Sequence, residues 1–243
     1  TVTALRPIET VTITAVYKTN PALTCSWNLK ITRTKGYITK QMLDNLDLTS
    51  IKKVMITAHP DDETLWGGGH LIEGEYLVVC MTHGWNPKRR TAFEQTMRTT
   101  NDKYLILDYP DVRKTFSNGK YETDMLSTCK NAMQEDINLI LSYKKWDLIA
   151  THNPFGEYGK FLHKTISQMV TQCYNKMTNK SATLYYFGRY YNSSNKIPGE
   201  QIAPELLAIK NSMVGRYYPT AKGAIDAFGH MIPYENWLLP SEW

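Results

Sequence analysis

Hydrophobic positions along the chain fall into short dense runs separated by longer stretches with helical spacing. Val54-Met55-Ile56-Thr57-Ala58 is the first dense run, and residues 76–81, 104–107, 147–150 and 183–187 repeat the type. Between them the apolar residues are spaced three and four apart. Phe93 and Met97 mark one helix over 90–101, and Met125, Leu126, Cys129, Met133, Ile137, Ile140 and Leu141 mark a second over 123–143. Ile166, Val170 and Cys173 mark a third over 163–177, and a further segment near 204–214 is helical in pattern. Strands apolar on both faces, alternating with amphipathic helices, imply βαβ units and a mostly parallel sheet. The expected fold is α/β, a Rossmann-like three-layer α/β/α sandwich spanning 51–243.

Residues 1–50 have another rhythm. Thr10-Val11-Thr12-Ile13-Thr14-Ala15-Val16-Tyr17 is β-branched and strand-like, Asn20-Pro21 predicts a turn, and 26–34 predicts a second strand. An N-terminal β-rich extension over 1–50 is therefore expected ahead of the main domain. The stretch beyond Tyr190 is rich in aromatics, Gly and Pro and reads as loop outside the 204–214 helix.

Composition narrows the class. At 42% hydrophobic and 21% charged, the 243 residues are globular rather than disordered. The net charge of +5 comes without a Lys/Arg block, so a small anionic partner is compatible and a nucleic-acid partner is not expected. The longest apolar runs fall far short of the roughly 20 residues that span a bilayer. The chain starts at Thr1 rather than Met, so membrane association is expected only through a segment absent from this chain, and localisation stays open. Cys25, Cys80, Cys129 and Cys173 form no C-x-x-C pair, which argues against a zinc ribbon or a thioredoxin-like site and favours buried free thiols.

Chemistry is expected just beyond the strand ends, where open α/β sheets bind ligands. Ala58-His59-Pro60-Asp61-Asp62-Glu63 follows the first core strand, and the segment from Thr151-His152-Asn153 to His163 follows the fourth. His59, Asp62 and His163 supply the three protein ligands that a catalytic zinc takes, leaving a position open. Asp61 is a spare carboxylate next to them, suited to general-base work. Plainer readings exist for each piece. The aspartates also suit a helix N-terminus, and His163 heads an apolar helix face where a core histidine would serve.

The combination is more specific than its parts. Ala58-His-Pro-Asp-Asp-Glu63 after a strand resembles the signature of the LmbE-like, or PIG-L, family of zinc-dependent N-acetylglucosamine deacetylases. Thr151-His-Asn-Pro-Phe-Gly-Glu-Tyr-Gly159, with His163 four residues on, looks like that family's second motif. Thr82-His83-Gly84, Arg90 with Glu94, and Leu107-Asp108-Tyr109-Pro110-Asp111 resemble family segments more loosely, and the match covers about 51–170.

The resemblance implies Zn2+, or another divalent metal, on His59, Asp62 and His163, with Asp61 as base. The family's second motif usually reads Gly-His-x-x-His, and Lys160 stands at its first histidine. Either Lys160 or His152 then stabilises the oxyanion, or activity is reduced. Arg90 and Asp111 are candidate substrate contacts, and Tyr158 is one of several aromatics offering a sugar-stacking face. The implied activity is release of acetate from an N-acetylglucosamine-type glycolipid, glycoside or nucleotide sugar. Two alternatives stand beside it: a carbohydrate-binding protein weakened in catalysis, and a deacylase of another N-acyl substrate. Gly67-Gly68-Gly69 matches no phosphate-loop pattern and is expected to allow close packing.

Overall fold

The computed structural model describes residues 8–111, 124–178 and 180–243. Two antiparallel strands, β1 (Ile8–Tyr17) and β2 (Asn20–Ile31), form a separate ribbon at the start of the chain. Thr12↔Asn28 and Thr14↔Ser26 pair on its polar face, and Ile13↔Trp27 and Ala15↔Cys25 pair on the other. The second strand begins earlier than residue 26, because the chain reverses ahead of Asn20-Pro21. Proline is tolerated near the start of an edge strand, where its missing N–H costs nothing.

From residue 37 onward the chain builds an α/β sandwich. Its elements are α1 (Lys40–Asp44), β3 (Lys53–Thr57), α2 (Asp62–Glu73), β4 (Tyr76–Thr82), α3 (Pro87–Thr100), β5 (Lys103–Tyr109), α4 (Asp124–Ser127), α5 (Lys130–Tyr143), β6 (Leu148–His152), α6 (Gly156–Gly159), α7 (Phe161–Lys176), β7 (Thr183–Phe187) and α8 (Pro204–Phe228). The five later strands are parallel, in the order β5-β4-β3-β6-β7. β4 is buried along its whole length and β3 along all but its first residue, as expected for strands covered on both faces.

One face packs against α1, α5 and α7 through residues such as Leu43, Ile137 and Ile166. The other packs against α2, α3 and α8 through Leu65, Phe93 and Val214. Ile38, Leu43 and Leu48 belong to the first of these cores, so the segment after the ribbon is built into the sandwich.

Two helices differ from the sequence pattern. The stretch over 123–143 is broken, because Cys129 has φ −145° and separates α4 from α5; Thr123 lies outside the described residues. The last helix runs to Phe228, well past 214. It passes through Pro219 and has a non-helical residue at Ala221 (φ −130°, ψ 21°). Local composition there favours a loop, but Tyr217, Ala221, Ile225 and Phe228 are buried, and that burial outweighs the interrupted hydrogen bonding. The three glycines of α2 do permit close approach. A Cβ at Gly67 would lie 2.6 Å from Met55 Cε, and one at Gly68 would lie 2.9 Å from Lys210 Cγ. Cys80, Cys129 and Cys173 are buried free thiols, whereas Cys25 is exposed on the ribbon.

Asp136 on α5 fastens residues 37–38 to the sandwich. Its carboxylate accepts from the backbone N–H groups of Tyr37 (2.8 Å) and Ile38 (2.8 Å) and from the Tyr109 hydroxyl (2.6 Å). Removing a buried acceptor strands its donors, which costs about 1–3 kcal/mol for each group left unpaired. Asp136→Ala is therefore expected to lower unfolding free energy by about 3 kcal/mol in urea titrations. A loss under about 1 kcal/mol would show that these donors find other partners.

Asp102 provides a pH test. Burial pushes its carboxyl up to about 7, against the hydrogen bonds from Thr100 Oγ1 and the Tyr76 N–H. An unfolded Asp titrates near 3.9, so the folded state holds the extra proton between these values and stability falls as pH rises through that window. Asp102→Asn is expected to flatten this part of the pH–stability curve, read from melting temperatures between pH 4 and 8. An unchanged slope would rule Asp102 out as the source.

Candidate functional site

From β3 the chain moves outward to β4 and β5, and from β6 it moves the other way to β7. The ends of β3 and β6 therefore flank the point where strand order reverses, where α/β folds open a crevice. Residues 58–63 and 151–163 meet there.

His59 Nδ1 lies 2.9 Å from His163 Nε2 and 3.3 Å from Asp62 Oδ2, which is 3.5 Å from His163 Nε2. All three residues are buried. Their outer partners fix the tautomers. His59 Nε2 sits 2.9 Å from Asp111 Oδ1, and His163 Nδ1 pairs with Glu157 Oε2. A carboxylate accepts a hydrogen bond in such a pair, so each ring carries a hydrogen on its outer nitrogen and presents its inner nitrogen to the cluster. Burial opposes a second proton on His59, but Asp111 and Asp62 outweigh it and raise its pKa to about 9, so without a cation a proton on Nδ1 bridges to His163 Nε2, and a bound cation would take that proton's place. These buried groups are thus able to bind a metal ion. The outer carboxylates play the orienting part expected around a metal-ligating histidine.

His152, Glu157 and His163 form a second close trio. It is already spent on itself. Glu157 Oε1 accepts from His152 Nδ1 at 3.0 Å, and His152 Nε2 accepts from the Ala58 N–H at 2.9 Å. Burial opposes a charge on His152, while Glu157 and Asp62 favour one. The Ala58 N–H decides the matter, because a protonated Nε2 would face another donor. His152 is fully buried with both nitrogens engaged, so it supports the loop and offers nothing to the cleft.

Electrostatics follow from this geometry. Burial opposes ionisation of Asp62, but His163 and His152 outweigh it and hold its carboxyl well below the usual range. Glu157 is lowered for the same reasons, against its burial. Asp61 goes the other way: burial first, then neighbouring Asp62, push it up to about 7, despite Arg89 and His59. Asp61 Oδ1 is buried without a hydrogen-bond partner among the described residues.

Both loops carry strained backbone. Asp61 has φ 142° and Glu157 φ 56°, a region that favours glycine. Such strain persists only where the surroundings over-determine it, typically at functional sites. Glu63 Oε2 holds the Asp61 N–H at 3.1 Å, and the Tyr217 hydroxyl of α8 holds Glu63 Oε1 at 2.5 Å. Asn153 Oδ1 caps the Phe155 N–H at 2.9 Å, and its Nδ2 reaches the carbonyls of Phe187 (2.9 Å) and Gly188 (3.0 Å).

The ligand set borders a cavity of about 250 Å³, whose rim includes Arg89, Lys160, Tyr158 and Phe228. Of the substrate-contact candidates, Tyr158 and Lys160 line this cleft. Asp111 also lines it, with its carboxylate committed to His59. Arg90 does not line it: that side chain is exposed and 3.9 Å from Glu94, one turn along α3. Its neighbour Arg89 faces the cleft instead and donates to the Thr220 carbonyl at 3.0 Å. The helix starts at Pro87 behind the Asn86 cap, and that register turns 89 rather than 90 inward. Glu157, Asn153 and Tyr217 carry the site's support and were not singled out by sequence. For Glu157 the signal was a lone carboxylate flanked by Gly156 and Gly159 in the loop after β6; for Tyr217 there was none.

The fold and site define an α/β protein of the open parallel-sheet class with a buried cluster competent for a metal ion. The chain belongs to one family with an uncharacterized protein of Acanthamoeba polyphaga mimivirus, to which it is 31% identical over 175 residues, covering 65% of this chain and 67% of the viral one. No protein-family profile matches the sequence. Among solved structures, a conserved protein from Thermus thermophilus is similar at TM-score 0.55 and 13% identity, over 78% of this chain and 94% of that one. That likeness concerns the fold alone.

Glu157→Gln is expected to weaken divalent-metal binding by about 10–100-fold, the usual effect of losing a carboxylate that orients a ligating histidine. Calorimetric titration with zinc reads this, and unaltered affinity would remove Glu157 from that role.

Proposed function

We propose that this protein is a metal-dependent amide hydrolase that removes the acetyl group from an N-acetylglucosamine-type sugar. The observation that carries this reading is the inward convergence of His59, Asp62 and His163 beside a buried oxygen of Asp61 that has no hydrogen-bond partner among the described residues. The resemblance of residues 58–63 and 151–163 to the LmbE-like, or PIG-L, deacetylases supports the same reading.

A divalent cation held by His59, Asp62 and His163, zinc by that resemblance, would supply Lewis acidity toward the amide carbonyl. The chain's own groups do the rest. Asp61 takes a proton from a water in the cleft as the water oxygen bonds to the carbonyl carbon. Burial and then Asp62 raise its pKa without a metal ion, and a bound cation beside it would lower it again, leaving an ionised carboxylate to accept that proton and return it to the departing nitrogen. Lys160, on the rim, supplies positive charge for the developing oxyanion in place of the family's histidine. The C–N bond breaks, and acetate and an amino sugar leave. Arg89 presents a half-buried guanidinium to the sugar or to an anionic group on it. Tyr158 offers a ring face at the mouth.

Asp61→Asn is expected to keep bound metal and lose at least about 100-fold in acetate release from N-acetylglucosamine derivatives. Full turnover in that variant would overturn the assignment of the base. Arg89→Ala should raise KM clearly more than Arg90→Ala does. Equal effects of the two substitutions would count against the orientation of α3 described above.

A further inference from the structure

A second cavity, about 370 Å³, opens beside the first. It is lined by Phe155, Glu157, Arg189, Tyr190 and Trp243. The two cavities share a wall. Glu157 lines the second, and its carboxylate holds His163, which lines the first. Aromatic rings connect them. Tyr158 at the mouth of the cleft lies 4.7 Å from Phe228 between centroids, and Phe228 lies 6.0 Å from Tyr190. Across the second cavity, Phe155 and Trp243 are 6.0 Å apart, and the Arg189 guanidinium lies 5.2 Å from the Trp243 ring.

These rings are not consumed by the core. Phe155 is 63% exposed, Tyr158 48% and Tyr190 42%, so each presents ring surface to solvent. Flat apolar faces beside the Arg189 guanidinium, one wall away from the cleft, suit a ligand with apolar C–H faces and a hydroxyl-rich edge.

We infer that the second cavity is a glycan subsite, which takes the sugar adjoining the one that is deacetylated. The inference rests on the sugar-deacetylase reading and makes the substrate an oligosaccharide rather than a single sugar or a nucleotide sugar. Ring faces of Phe155 and Tyr190 stack on that neighbouring sugar, and Arg189 meets its hydroxyls.

The test compares N-acetylglucosamine with its β-1,4-linked trimer, by acetate release and by calorimetric binding to the Asp61→Asn variant. The trimer is expected to exceed the monomer at least tenfold in kcat/KM and in affinity. Phe155→Ala and Tyr190→Ala should each shrink that ratio severalfold, while Trp27→Ala, an exposed aromatic on the ribbon, leaves it intact. Trimer and monomer behaving alike in both assays, or a ratio untouched by Phe155→Ala and Tyr190→Ala, would overturn the subsite. Length-dependent binding through Phe155 with no acetate released from either sugar would sink the deacetylase reading and leave the subsite standing. Phe155 is exposed, so loss of folding is not expected in its variant, and melting temperatures verify this.

Discussion

The structure of the site depends on one carboxylate. Glu157 is buried, held at a left-handed backbone position, and bonded through its two oxygens to His152 and His163. Burying a charge without partners costs several kcal/mol, so this residue is tolerable only because both oxygens are satisfied. In satisfying them it sets the hydrogen on the outer nitrogen of each ring. His152 then accepts from the Ala58 N–H and ties the loop after β6 to the end of β3. His163 turns its free nitrogen toward His59 and Asp62. The same bonds therefore join the two strand-end loops and prepare a site for a cation.

A parallel device governs Asp61. Asp61 sits at φ 142°, which no side chain adopts freely. Its N–H is held by Glu63, which is held by Tyr217 from a helix more than 150 positions along the chain. The far end of that helix also walls the cleft through Thr220 to Phe228. α8 thus links the posture of Asp61 to the shape of the cleft, and its interruption near Pro219 falls between these two duties. Strain at Asp61 is stored by packing contributed from outside the two motifs.

The uneven legibility of the sequence has a physical cause. Dense apolar runs at 54–58 and 76–81 are too short for buried helices and read as strands covered on both faces, so the parallel sheet and its helices were readable. His59, Asp62 and His163 were readable because side chains able to hold a metal ion are of few types, and their placement at strand ends shows as a local pattern. Arg90 was the wrong member of a pair, since which of two adjacent arginines faces inward depends on helix register, and that register is set by the Asn86 cap together with packing on α8. His152 looked as available as any other histidine. Its burial and the Ala58 N–H, both long-range facts, remove it from the cleft.

By itself, then, the sequence determined the α/β class, the β-rich start, and the histidines and carboxylates brought to the ends of two strands. Tertiary structure decided which nitrogen of each ring faces inward, which cation faces the cleft, and how far the last helix runs. Periodicity and residue type are properties of neighbours along the chain, whereas tautomers, burial and orientation arise from groups far apart along it. The ribbon of β1 and β2 shows the same division. Its strand pattern is plain in the sequence, while the exposure of Leu23 and Trp27 on it was decided by tertiary structure.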